Sequence, residues 1–159
     1  MRTLDQSLPL KLLKAREAVM ERFRPQLNAH GVTEQQWRVL RALAEVDAID
    51  IGALSQWIAL STPSLSRMLP DMETRGLIKR RRDKADGRVV IIALAPRGRS
   101  LFERMSAESE RIYHELEAVV GRSSIEALTR ALDTLIGGLG SSTDAALPPP
   151  TTALARQKA

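Results

Sequence analysis

A mainly α fold (α+β) with a single hairpin is what the sequence predicts, on three observations. Apolar residues recur at helical spacing in six segments set apart by capping residues and glycines. The β-branched run Val89-Val90-Ile91-Ile92 lies across a polar turn, Asp83-Lys84-Ala85-Asp86-Gly87, from a second short segment, Leu77–Arg82. The positive charge of the chain is concentrated in that same hairpin.

Leu8 to about Ala29 reads as the first helix, with Leu12, Val19, Phe23 and Leu27 on one face. Pro25 should kink or loosen its last turn, and Gly31 should end it. Thr33 is a good N-cap for a second helix, Glu34–Ala44, which turns Trp37, Leu40, Leu43 and Ala44 inward. Ala48–Ile51 reads as a short strand. Asp50 caps a third helix to about Ala59. Thr62 caps a fourth, about Pro63–Arg75, with Pro63 at the first helical position and Gly76 after its end. The hairpin follows, Leu77–Arg82 with Arg88–Leu94, and Gly87 should supply the positive φ of its turn. Pro96 opens a long helix to about Val120. Ser123 or Ser124 caps the last helix, which Gly137-Gly138 should end. A capped helix feeding a basic hairpin is the pattern of a winged helix-turn-helix. The expected organisation is an N-terminal dimerisation helix (1–32), a winged helix-turn-helix module (33–95), C-terminal dimerisation helices (96–139) and a disordered tail (140–159). The apolar stripes of the flanking helices exceed what three helices can bury, so a homodimer is expected.

The 159 residues carry 24 Lys and Arg against 19 Asp and Glu, a net charge of +5. Nine of those bases and only two acids lie between Arg75 and Arg99, so this window is cationic and the remainder slightly acidic. A local polyanion footprint follows, double-stranded DNA above all. The chain has no cysteine, which excludes disulfides and thiolate metal sites, and its two histidines, His30 and His114, are far apart. No cofactor is expected. No nucleophile–base pair or glycine-rich phosphate loop points to an enzyme. Charges interrupt every apolar run at the N-terminus, and no stretch is long enough to span a bilayer, so the expected location is cytoplasmic.

On the fourth helix a 100° wheel puts Leu65, Leu69 and Met72 on the buried side. Thr62, Pro63, Ser64, Ser66 and Arg67 then form the outer N-terminal face. Arg67 suits guanine O6 and N7 or a phosphate, and Pro63 a thymine methyl. Pro70 removes a hydrogen bond and should kink the helix on its outward side. In the hairpin, Arg82, Lys84 and Arg88 suit phosphates or a narrow minor groove, and Asp86 can hold Arg88 or a neighbouring base as an ion pair.

The residues Pro63-Ser64-Leu65-Ser66-Arg67, Glu73-Thr74-Arg75-Gly76-Leu77-Ile78, Asp86-Gly87-Arg88 and Leu94-Ala95-Pro96-Arg97-Gly98 resemble the MarR family of dimeric bacterial transcription regulators. The resemblance covers roughly Leu8–Leu139. The family usually has Thr where this chain has Ala95, so a capping hydroxyl is missing there. Ala15–Met20 through Pro25, and Thr33–Leu40, are similar to the branch that represses homoprotocatechuate (4-hydroxyphenylacetate) degradation operons. The resemblance implies repression of an aromatic-compound catabolic operon at a pseudo-palindromic operator. It also implies release by a small aromatic acid bound between the dimerisation helices and the reading module.

Arg16 sits within the apolar stripe of the first helix, where a guanidinium needs a partner. That partner is either the carboxylate of a small aromatic effector or a protein Glu or Asp at the dimer interface. Trp37 either stacks on an effector ring or fills the core, and Arg38 or His30 would add a polar contact. Two other readings stand beside this one: a ligand-independent architectural DNA-binding protein, and a winged helix that contacts only proteins. Salt separates the last from the rest. With six phosphates held by Arg82, Lys84 and Arg88 of two protomers, DNA affinity should fall by ~10³-fold between about 50 and 200 mM salt. A flat titration profile would favour the protein-contact reading.

Overall fold

A computed structural model of the chain describes residues 3–83 and 86–140. A short 3-10 turn, Leu4–Gln6, precedes six helices and three strands: α1 (Leu8–Ala29), α2 (Glu34–Glu45), β1 (Ile49–Asp50), α3 (Ile51–Trp57), α4 (Thr62–Thr74), β2 (Ile78–Arg82), β3 (Val90–Leu94), α5 (Pro96–Val120) and α6 (Arg122–Leu139). Lys84 and the tail from residue 141 onward lie outside the described residues.

Local sequence explains most boundaries. Thr33 and Gln36 form a reciprocal capping box: Thr33 Oγ1 accepts from the Gln36 N–H, and Gln36 Oε1 accepts from the Thr33 N–H, both at 3.1 Å. Asp50 Oδ1 accepts from the Ala53 N–H at 2.8 Å and starts α3. Gly31 and Gly76 take φ of +61° and +70°, the left-handed turn that closes α1 and α4.

Other boundaries differ from the sequence reading. Ser61, not Thr62, caps α4: its hydroxyl accepts from the Ser64 N–H at 3.3 Å, so Pro63 sits at the second helical position. Pro25 and Pro70 both lie inside unbroken helices; Pro70 is exposed, and the lost bond faces solvent. Gly87 is absent from the positive-φ glycines. The turn is closed by Asp83 N–H to Val89 O and Val89 N–H to Asp86 O, each 2.9 Å, and Gly87 within it is not left-handed. Gly121, with φ +91°, is the whole link between α5 and α6, which leaves no room for a serine cap at Ser123 or Ser124. Gly137 and Gly138 are helical, and the stop falls at Gly140, in the left-handed conformation.

The sheet order is β1-β3-β2, antiparallel throughout, with Ile49 opposite Ile92 and Arg82 opposite Val90. The core gathers Leu40 and Leu43 from α2, Leu54 from α3, Leu65, Leu69 and Met72 from α4, and Ile78 and Ile92 from the sheet, all essentially inaccessible. On α2, Val39 and Ala42 are buried, whereas Ala44 is only half-buried.

One contact ties the long helices α1 and α5 together, and another ties α5 to this module. Gln26 of α1 donates to Met105 O of α5 at 2.5 Å and accepts from Ser109 Oγ at 3.1 Å, so three buried polar groups satisfy one another. The start of α5 meets the end of the reading helix at Leu77, whose carbonyl accepts from the Ala95 N–H at 3.0 Å. Ala95 occupies the N-cap of α5 with no side-chain bond, as expected of alanine. Beyond these contacts the outer faces of the long helices are bare: Leu12 and Val19 of α1, Val119 of α5, and Leu128 and Ile136 of α6 are exposed.

The same substitution should have opposite signs at two glycines. A Cβ on Gly98 would stand 1.9 Å from Leu77 O and 2.8 Å from Leu77 C. Gly98→Ala should therefore destabilise by about 3 kcal/mol or more, since backbone must move. Nothing lies within 4 Å of a Cβ at Gly137. Gly137→Ala should stabilise α6 by about 0.5–1 kcal/mol. Urea unfolding midpoints of the two variants check both.

Candidate nucleic-acid interface and effector cavity

The reading surface begins with the anchoring of α4. Leu65, Leu69 and Met72 are fully buried, so the opposite face must point away from the core. Thr62, Pro63, Ser66 and Arg67 are exposed there, and Ser64 is half-buried. Two hydroxyls of this face are already engaged. Ser64 Oγ lies 2.8 Å from Ser61 Oγ, and Thr62 Oγ1 donates to Ser55 Oγ at 3.2 Å. Ser55 Oγ in turn donates to Leu60 O at 2.6 Å, which stitches the α3–α4 turn together. Among the described residues Arg67 has no hydrogen-bond or ion-pair partner, which leaves its donors available.

The basic hairpin divides into braces and free cations. Arg80 grips Glu73 of α4: its Nε and Nη2 donate to Glu73 Oε2 at 2.8 and 2.5 Å, and its backbone N–H donates to Oε1 at 3.1 Å. The wing is thereby fixed to the reading helix. Hydrogen bonding from Arg80 lowers the Glu73 pKa below its ordinary 4.5, against the opposing effect of desolvation. Arg82 Nη1 donates to Gly87 O at 2.8 Å across the turn. Asp86 acts on the backbone rather than through the ion pair expected of it: its carboxylate accepts from the Arg88 N–H at 2.9 Å. That bond fixes the turn and leaves the Arg88 side chain exposed, with no partner among the described residues.

A cavity of about 210 Å³ opens between α1, α2 and α5, behind the reading module. Val19, Met20 and Phe23 form its apolar wall and Trp37 its floor. Trp37 stacks on Phe102 at 5.8 Å, and Phe23 meets Tyr113 edge-on at 5.2 Å. Arg16, Arg38 and Arg41 face it, with Glu34 and Tyr113. The volume is below the ~300–1,000 Å³ of pockets for drug-sized ligands, and suits a single ring with a short acid.

The three arginines differ in commitment. Arg16 is taken by protein carboxylates of its own chain, Glu17 at 2.6 Å and Glu34; Arg24 bridges the same two acids. Hydrogen bonding to Arg24 lowers the Glu17 pKa and raises that of Arg24. Arg38 Nη1 donates to Ile58 O at 3.0 Å. Arg41 has only a 3.5 Å contact to Tyr113 Oη, at the outer limit of a hydrogen bond. The structure thus brings Arg16, Trp37 and Arg38 to one cavity but not His30. His30 caps the end of α1 and turns to α5, where Nε2 lies 3.0 Å from Glu108 Oε1. Arg41 and Tyr113 were missed by the sequence reading. The signal for Arg41 was its position four residues after Trp37, on the same helical face.

Among the described residues no group of three His, Cys, Asp or Glu is placed to hold a metal, and no helix is long and apolar enough to cross a membrane. Reading helix, three-stranded wing and flanking long helices define a winged helix-turn-helix DNA-binding protein. The chain belongs to the MarR family of transcriptional regulators: a model of that family matches residues 30–89. The homoprotocatechuate degradative operon repressor of Escherichia coli is 37% identical over 145 residues, 91% of this chain and 97% of that protein. A crystal structure of NadR in complex with 4-hydroxyphenylacetate is similar at 35% identity and a TM-score of 0.73, over 85% of this chain and 96% of that one. The transcriptional repressor CouR, bound to a 23-mer DNA duplex, is similar at 27% identity and a TM-score of 0.77, over 83% and 94%.

The Glu73–Arg80 brace makes a pH prediction. A carboxylate whose pKa is depressed in the folded state adds stability above its unfolded pKa, and that stability is lost as pH falls through the folded value. Glu73→Gln should therefore be less stable than the parent from neutral pH down to about 5. The gap should close as pH drops below 4.5 and Glu73 itself protonates. Urea midpoints of both proteins between pH 7 and pH 3 read the difference.

Proposed function

We propose that this regulator represses an aromatic-compound catabolic operon and is released from its operator by a small aromatic acid. The observation that carries the reading is the cavity: an aromatic floor, apolar walls and the sparsely bonded Arg41 guanidinium, set where the long helices meet the reading module. The likeness to the homoprotocatechuate repressor and to NadR holding 4-hydroxyphenylacetate supports the same ligand class.

The protein works as a cytoplasmic homodimer, its bare leucine and valine faces on α1, α5 and α6 covered by a second copy. Two α4 helices then stand about one DNA turn (~34 Å) apart over a pseudo-palindromic operator. Arg67 reads guanine in the major groove, Pro63 and Ser66 approach closely beside it, and Thr62 and Ser64 hold the helix start against a phosphate. Arg82, Lys84 and Arg88 contact the flanking backbone or minor groove, with Asp86 shaping the turn. In the cavity Arg38 and Arg41 receive the acid, and Trp37 packs on the ring. Arg16, already paired, orders the rim.

Operator affinity, measured with and without a panel of aromatic acids on a duplex selected from a random pool, tests this reading. At least one acid should weaken binding by roughly 5–150-fold. An operator affinity that no acid moves would contradict it. Arg67→Ala should cost about 1–3 kcal/mol of operator binding and relax preference at one base position per half-site. A uniform loss across sequences would assign Arg67 to phosphate instead.

A further inference from the structure

Arg38 links the cavity to the turn that precedes the reading helix. Arg38 lines the cavity on one side, and on the other its Nη1 donates to Ile58 O at 3.0 Å. Ile58 is the C-cap of α3, and its N–H bonds back to Leu54 O. The next residue, Ala59, has φ +51°, and is the only non-glycine residue with positive φ among those described. An L-residue adopts that left-handed conformation at a cost, because its Cβ crowds the following carbonyl. Two residues on, Ser61 caps α4. The path from cavity to base-reading face is therefore guanidinium, carbonyl, strained turn, cap.

We infer that Arg38 is the positioning residue that couples the cavity to α4. Its bond to Ile58 O helps hold the α3–α4 turn, with Ala59 left-handed, in the arrangement that sets α4 for DNA. The acid of a bound ligand competes for the same guanidinium. A carboxylate is a stronger acceptor than a backbone carbonyl, so the guanidinium turns to the ligand. Ile58 O loses a charge-assisted bond and Ala59 is free to leave the left-handed region. The start of α4 then shifts relative to its core. The shift is bistable rather than continuous, since Leu65, Leu69 and Met72 are tightly packed. Arg41, which has no contact with the turn, supplies affinity without coupling.

The inference rests on the proposed release by an aromatic acid, and two substitutions separate the two claims. The readout is the ratio of operator affinities without and with saturating 4-hydroxyphenylacetate, with ligand occupancy followed by calorimetry. Arg38→Gln should weaken ligand-free operator binding and bring the ratio from the parent's roughly 5–150-fold to below about 2-fold, even at saturation. Ala59→Gly lies outside the cavity and removes the cost of positive φ. It should keep operator binding and still blunt the ratio, because the turn no longer gains by relaxing. A parent ratio carried over unchanged into both variants would overturn the inference and leave the proposed function standing. A parent protein unmoved by 4-hydroxyphenylacetate and by the rest of the panel would defeat both.

Discussion

Among the described glycines, Gly98 is the one with no room for a side chain, because its backbone lies directly against Leu77, and the rest of the architecture depends on that contact. Leu77 sits at the junction of reading helix and wing, and Gly98 lies in the first turn of α5. A Cβ there would overlap the Leu77 carbonyl, so only glycine lets the long helix lie against that junction. The same carbonyl accepts from Ala95. Helix, wing and long α5 therefore meet at one point with little freedom. Arg80 on Glu73 fixes the wing to the reading helix a few residues away. Any rotation of α5 in a dimer is thus passed to the DNA-reading elements with little slack.

That junction also explains where the cavity forms. α1 is held to α5 by Gln26, Met105 and Ser109, and α2 is packed into the core through Leu40 and Leu43. Between α1, α2 and α5 a space remains whose apolar wall of Val19, Met20 and Phe23 is faced by the charged side chains of Arg16, Glu34, Arg38 and Arg41. The cavity is the consequence of packing one face of α2 against the reading module while its other face meets α1 and α5. A ligand there touches both halves of the device at once.

Much of this was legible in the sequence because it is local. Thr33, Asp50, and the glycines at 31 and 76 are short-range signals, and each shaped a boundary as expected. The inner stripe of α4 followed from helical period alone. Errors arose where two local signals competed or a distant partner decided. Ser61 and Thr62 are adjacent hydroxyls, and only the backbone path selects Ser61. Gly137 and Gly138 each cost a helix only ~1 kcal/mol, too little to stop α6 before a left-handed turn at Gly140. The carboxylates that Arg16 needed are Glu17 and Glu34 of its own chain, and His30 was drawn to Glu108 across a sequence separation that periodicity cannot see. Tyr113 was overlooked for the same reason, since its place beside Phe23 and Arg41 is set by the crossing of α1 and α5.

Release by an acid in the cavity, as proposed, requires that the acid change the placement of the two reading helices and hence the distance between them. The chain has no cysteine, so Ser66→Cys places one spin label per protomer on the outer face of α4. Pulsed electron-paramagnetic distance measurement on the DNA-free dimer reads that spacing directly. The account predicts a label-to-label distribution near one DNA turn (~34 Å) without ligand, displaced when 4-hydroxyphenylacetate saturates the cavity. An identical distribution with and without bound ligand would contradict it.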